Sequence, residues 1–208
     1  LGASRIGHHC LRALQYEFFN TPKDVPFEGR IYRIFHRGHH GEDWMAEWLR
    51  MAGFVLRTAG ADGRQFGFST GKGRIRGHCD GVFVGGPDEY GPYPRLWECK
   101  VLGSKGWNKL DKQGLEKAYP EYFAQVQLYM AYLNLSENPT LFTAMNADTM
   151  EVYDESVPFE PGRAQELSDR AVTVIRACEA GELLPRCAAD EDCFSCRFCA
   201  YRTRCWHV

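Results

Sequence analysis

Leu96-Trp97-Glu98-Cys99-Lys100-Val101 follows Gly77-His78-Cys79-Asp80-Gly81-Val82-Phe83-Val84, with Asp80 eighteen residues ahead of Glu98. Residues i and i+2 of a strand share a face, so Glu98 and Lys100 point together into a cleft while Cys99 points away. With Asp80 on the neighbouring strand, two carboxylates converge on a divalent cation and the lysine stands beside a reacting phosphate. Hard oxygen ligands of this kind suit Mg²⁺ or Mn²⁺ rather than Zn²⁺. An isolated Glu-x-Lys triplet is commonplace on solvated strand faces. Here Leu96, Trp97, Val101 and Leu102 flank it, so the charges interrupt a segment that otherwise reads as buried.

Around this pair the chain alternates helical and extended patterns without internal repeats. Ser4 is placed to cap a helix reaching about Phe19, and a second helix is predicted from about Tyr32 to Ala52, stopped by Gly53. Strands are predicted over Phe54 to Arg57, Phe66 to Ser69, Arg74 to Val84 and Arg95 to Leu102. A helix from Tyr119 to Leu135, a strand pair (Leu141 to Asn146, Met150 to Ser156) and a long helix from Pro161 to Ala180 follow. This order predicts an α/β fold with one mixed central sheet flanked by helices. On the second helix, Gly38-His39-His40-Gly41-Glu42 places a carboxylate behind glycines that allow close backbone approach. On the later helix, Gln125 and Tyr129 lie one turn apart on one face, at a spacing after Lys100 that suits positioning a nucleotide or a water.

Composition is ordinary for a globular chain, and no apolar run approaches the roughly 20 residues of a membrane span. No secretory signal is visible, although the sequence starts at Leu1 rather than a methionine. The net charge of −2 offers no global argument for nucleic acid, but its distribution does. Residues 57–76 carry a local +4, residues 100–117 a local +3 and residues 137–169 a local −7. The basic stretches enclose the Asp80-to-Lys100 segment, as binding of a phosphate backbone requires.

Nine cysteines are present, and five crowd the tail: Cys187, Cys193, Cys196, Cys199 and Cys205. An odd total without a secretory signal argues against a disulfide framework and for metal ligation in a reducing compartment. Cys196-x2-Cys199-x5-Cys205 supplies three thiolates at chelating spacing. Two metals compete. Zinc would take four ligands from Cys193, Cys196, Cys199, Cys205 or His207 in a closed knuckle. A 4Fe–4S cluster would take four thiolates, one of them commonly distant in sequence, and Cys10 is the candidate.

Gly-x3-Glu on a helix, an Asp closing one strand, Glu-x-Lys on the next and Gln-x3-Tyr on a helix form an ordered signature similar to that of the PD-(D/E)XK nucleases. Cys10 with Cys196, Cys199 and Cys205 resembles the branch whose nuclease domain is stapled by a 4Fe–4S cluster. That branch includes RecB- and AddB-type exonuclease domains, CRISPR-associated iron–sulfur exonucleases and related phage exonucleases. The likeness spans Ser4 to Cys205. It implies one nuclease domain over 1–208, with a catalytic core at 31–180 and a cluster-binding lobe formed by 1–30 and 181–208.

The resemblance further implies a metal-dependent DNA exonuclease acting in the cytoplasm of a bacterial, archaeal or phage-infected cell. Its partners would be DNA and proteins of recombination, repair or CRISPR adaptation, with no membrane. Asp80, Glu98 and the Cys99 carbonyl would hold Mg²⁺ or Mn²⁺, Glu42 would hold it or a second cation, and Lys100 would act on the phosphate. Gln125 and Tyr129 would position the strand. Two positions depart from the pattern: Glu42, with His39 and His40 beside it, stands where the RecB-type branch often has histidine, and Cys79 replaces a proline. Cys187 and Cys193 have no counterpart in the branch and read as free thiols or competing ligands. The alternative reading is a non-catalytic nucleic-acid-binding module with a zinc knuckle.

Overall fold

The first predicted helix is two. In the computed structural model, which describes residues 1–207, α1 (Ala3–Ile6) and α2 (Leu11–Phe18) are separated by a break at Gly7–Cys10. Arg170 stabilises the break by donating to the carbonyls of Ile6 (3.1 Å) and His8. Gly2 precedes α1, so Ser4 lies inside the helix rather than capping it, and Cys10 becomes the N-cap residue of α2. The next helix, α3 (Gly29–Met51), starts three residues earlier than predicted.

The predicted strand over Arg74 to Val84 is also divided. After β1 (Val55–Arg57) come β2 (Gly67–Thr70) and β3 (Ile75–His78), an antiparallel hairpin that stands apart from the main sheet. The chain bends at Cys79 and Asp80 and only then enters β4 (Gly81–Gly85), which pairs with β1 and with β5 (Arg95–Leu102). Asp80 is therefore a corner residue, not a strand residue. Its partner strand β5 lies as predicted.

A helix that the sequence reading left out follows: α4 (Ser104–Ala118), with Trp107, Leu110, Leu115 and Ala118 buried along one side. Its two glycines, Gly106 and Gly114, obscure the pattern. Gly114 sits at φ +73° and kinks it, and Glu155 accepts the Leu115 N–H at 2.8 Å to restart the second half. Then come α5 (Pro120–Tyr132), β6 (Thr140–Asn146), β7 (Val152–Val157) and α6 (Pro161–Ala180), close to the predicted bounds. The tail forms α7 (Phe194–Arg197) and α8 (Arg202–His207).

The five-stranded sheet runs β1-β4-β5-β6-β7, antiparallel except for the β5–β6 pair. That parallel step needs a long crossover, which α4 and α5 provide. Alternation along β5 sorts its side chains. Trp97 and Cys99 join Met45, Ala46, Phe83 and Leu141 under α3, whereas Leu96 joins the larger core with Phe123, Val126, Leu128 and Tyr129 of α5. Glu98 and Lys100 share the parity of Leu96, which sets them facing α5. Ala3 and Ile6 of α1 are buried in that larger core, while α2 faces the tail. No described helix is long and apolar enough to cross a membrane.

Candidate active site and cysteine cavity

β4 and β5 part company where the chemistry sits. Their pairing ends at Gly81↔Trp97, because the chain turns away at Asp80. Beyond that point β5 has an open edge, where strand backbone groups need other partners. Asp80 supplies one, its Oδ2 accepting the Cys99 N–H at 2.8 Å. The Cys99 carbonyl, on the same edge, accepts from Lys100 Nζ at 3.1 Å and is otherwise free to face the cleft.

Glu98 is wholly buried. Its Oε1 accepts from Lys100 Nζ and from Gln125 Nε2 at 2.6 Å, and the same Gln125 amide donates to Tyr129 Oη at 3.0 Å. The other oxygen, Oε2, is buried without a hydrogen-bond partner. Burial and the neighbouring Asp80 push the Glu98 carboxyl up to about 8. Burial raises Asp80 as well, against the pull of Lys100, the Cys99 N–H and His39. Burial opposes the charge on Lys100, but Glu98 and Asp80 outweigh it and hold the ammonium above its usual range. Tyr129 is raised by burial and then by Glu98, so its phenol stays protonated.

Glu42 arrives from α3, on the other face of the sheet. Its approach depends on Gly41: a Cβ there would stand 2.5 Å from Val101 Cγ2 and 2.7 Å from Met145 Cε, so only glycine lets α3 lie this close to β5. Gly38 has open space around it and carries no such constraint. Burial, followed by Asp80, lifts the Glu42 carboxyl to about 7. His39 bears on Asp80, whereas His40 packs edge-on against His36 at 4.4 Å.

The structure thus brings Asp80, Glu98, Cys99, Lys100, Gln125 and Tyr129 together through hydrogen bonds, with Glu42 near enough for Asp80 to act on its carboxyl. No trio of the carboxylates gathers within 4.8 Å among the described residues. Asp80 and Glu98 with the Cys99 carbonyl form one donor set, and Glu42 stands beside it. One buried and two half-buried acids held above their normal range, the buried one with an orphaned oxygen, fit a hard divalent cation; Mg²⁺ commonly takes one or two carboxylates and completes its shell with phosphate and water. The sequence reading missed Tyr122, whose ring centroid lies 5.2 Å from Lys100 Nζ; its place one turn before Gln125 was the available signal.

The tail builds a second site. Cys10, Cys196, Cys199 and Cys205 line one enclosed cavity between α2, α7 and α8, and Cys187 lines it too. Cys193, the N-cap residue of α7, does not. Tyr16 and Trp206 line the cavity beside the sulfurs, and Arg12 Nη1 stands 4.0 Å from Cys205 Sγ. No three of these sulfurs lie within 4.8 Å of one another among the described residues. Thiolates around one zinc stand about 3.8 Å apart, as tetrahedral Zn–S bonds dictate. Four or more cysteines around one cavity fit a metal group that takes thiolate ligands. His8, His9 and Glu121 do gather within 4.8 Å, but Arg5 already pairs with Glu121 at 3.2 Å and supplies the cation there.

No family model matches the sequence, and no curated protein matches it. Solved structures do. The chain is similar to an alkaline exonuclease, LHK-Exo, from Laribacter hongkongensis, with a TM-score of 0.59 at 16% identity over 87% of this chain and 88% of that one. The structure of LHK-Exo in complex with dAMP gives a TM-score of 0.60 at 15% identity over the same shares. SSO0001 gives a TM-score of 0.53 at 13% identity over 97% of this chain and 83% of that one. At these identities the likeness establishes architecture. The chain has the mixed α/β fold of these structures, a central mixed sheet flanked by helices.

Proposed function

We propose that the protein is a metal-dependent deoxyribonuclease that degrades DNA from an end, with Mg²⁺ or Mn²⁺ in the Asp80–Glu98 cleft. The observation that carries this reading is the unpartnered, buried Oε2 of Glu98, beside Asp80 and two residues from Lys100. A buried carboxylate oxygen without a partner is costly, and a cation is the partner this donor set fits. When bound, a divalent cation neutralises charge on the scissile phosphate and activates water for attack.

The protein's own groups do the rest. Asp80, Glu98 and the Cys99 carbonyl would hold the cation, and Glu42 would hold it or a second one. Lys100, kept charged by Glu98 and Asp80, stabilises the negative charge that grows on the phosphate oxygens. Gln125 fixes the Glu98 carboxylate, and Tyr129 in turn accepts from Gln125. An open groove of about 790 Å³ lies along β2 and β3, lined by Arg64, Arg76, His78, Phe66 and Phe68. Its cations suit a phosphate backbone and its aromatic rings suit bases. That one neighbour is an alkaline exonuclease seen with dAMP agrees with a nucleotide-releasing reaction.

The cysteine cavity we read as a 4Fe–4S site held by Cys10, Cys196, Cys199 and Cys205. Its role is mechanical, tying α2 to the tail and leaving hydrolysis to the cleft. Incubation with end-labelled DNA tests the activity: mononucleotide release with Mg²⁺ or Mn²⁺, abolished by a chelator, is expected. Undiminished release in excess chelator would overturn the metal mechanism.

A further inference from the structure

Five thiols line a cavity whose proposed occupant needs four. A cubane presents four iron corners and takes four thiolates, so one of Cys10, Cys187, Cys196, Cys199 and Cys205 is in excess. We propose that Cys187 is an interchangeable ligand for the corner held by Cys10, so that the cluster can be carried by the tail alone. The inference rests on reading the cavity as a cluster site.

The position of Cys187 is built rather than incidental. Gly181, at φ +70°, ends α6, and the chain then crosses α2 without regular structure. Gln15, 1% exposed, spends both ends of its amide there, donating to the Glu182 carbonyl at 2.8 Å and accepting from the Leu184 N–H at 2.7 Å. Arg12 donates to the Leu184 carbonyl at 2.6 Å. On the other side Arg186 donates to the Cys205 carbonyl at 2.7 Å. Cys187 is thus pinned from α2 and from α8 at the wall of the cavity that Cys10 also lines. Cys10 is buried and Cys187 is exposed, so the cavity has an inner and an outer thiol.

Chain topology favours the outer one during assembly. Cys187 lies nine residues before Cys196, whereas Cys10 lies 186 before it. Closing the short loop costs less entropy, so Cys187, Cys196, Cys199 and Cys205 can load a cluster before α2 docks. The exchange is balanced without a redox partner: the iron bond to one sulfur breaks as the bond to the other forms, and the proton moves from the incoming thiol to the departing thiolate.

The test is iron and acid-labile sulfide analysis of anaerobically purified protein, joined to iodoacetamide labelling read by mass spectrometry. Wild type should hold about four irons per chain, Cys187→Ser the same, Cys10→Ser at least about half, and the double variant under about a tenth. Labelling of Cys187 should fall by about fivefold in Cys10→Ser relative to wild type, as a ligated sulfur is shielded. Iron as low in Cys10→Ser as in the double variant, with wild type loaded, would overturn the proposal and leave the cluster reading standing. A wild type without iron would overturn the cluster reading itself. Should Cys10→Ser fail to fold, the rate at which Cys187→Ser loses its visible colour to a chelator decides the matter. Faster loss than wild type is expected; an equal rate would contradict the exchange.

Discussion

Gln125 donates to Glu98 Oε1 at 2.6 Å and to Tyr129 Oη at 3.0 Å, so one uncharged amide orients the carboxylate whose second oxygen is left without a partner. Groups that orient a metal ligand typically matter by about 10–100-fold in metal affinity or activity. Gln125→Ala should therefore weaken the apparent Mn²⁺ dependence of DNA degradation by that order while the protein stays folded. A Mn²⁺ titration of the rate checks this, and an unchanged titration would place Gln125 outside the site.

Glu98 is wholly buried and its partner Lys100 half-buried, and removing Lys100 strands the carboxylate. Breaking such a pair costs about 3 kcal/mol or more. Lys100→Ala should lose at least about a hundredfold in rate and also melt earlier without added cation. Adding Glu98→Gln to Lys100→Ala should restore the melting temperature but not the activity. Thermal melting of the single and double variants separates the electrostatic cost from the catalytic one.

The raised carboxyls set a direction for pH. Glu98 stands at about 8 and Glu42 at about 7, against 4.5 for an ordinary glutamate. With folded values above unfolded ones, their contribution to stability is intact below the unfolded value and is lost as pH rises through about 7 to 8. The cation-free wild type should thus lose melting temperature between about pH 5 and pH 8 more steeply than Glu98→Gln. Stabilisation by Mn²⁺ should grow over the same window, because the cation favours the ionised acids. Parallel slopes for the two proteins would contradict this account.

Gly41 and Gly38 offer a paired control. A methyl at Gly41 would collide with Val101 and Met145, pushing α3 and Glu42 off the sheet, whereas Gly38 has free space. Gly41→Ala should destabilise by about 1–3 kcal/mol and reduce activity. Gly38→Ala should be neutral or stabilise by up to about 1 kcal/mol. Urea melts of both variants decide it.

Much of this architecture was legible because β5, α5, β6 and α6 carry unbroken patterns that packing had no reason to override. The strand-face parity of Glu98 and Lys100 and the helical spacing of Gln125 and Tyr129 likewise follow from local geometry alone. What was hidden depended on partners far away in sequence. The break before Cys10 is held by Arg170, and the corner at Asp80 exists because its carboxylate replaces a β4 partner for Cys99. Helix α4 was masked by Gly106 and Gly114, the latter tolerated because Glu155 caps the restart. Cys187 is brought to the cavity by the hydrogen bonds that Leu184 makes with Gln15 and Arg12, which no spacing rule foretells.

The central claim is that the cleft at the β4–β5 divergence hydrolyses DNA with a cation held by Asp80 and Glu98. The rate of nucleotide release from end-labelled DNA across a Mn²⁺ series, for wild type beside Asp80→Asn, tests it most directly. The account predicts saturable, Mn²⁺-dependent release by wild type, and at least about a thousandfold less by a folded Asp80→Asn at every concentration. Release by Asp80→Asn equal to wild type, or none by a folded wild type at saturating Mn²⁺, would contradict it.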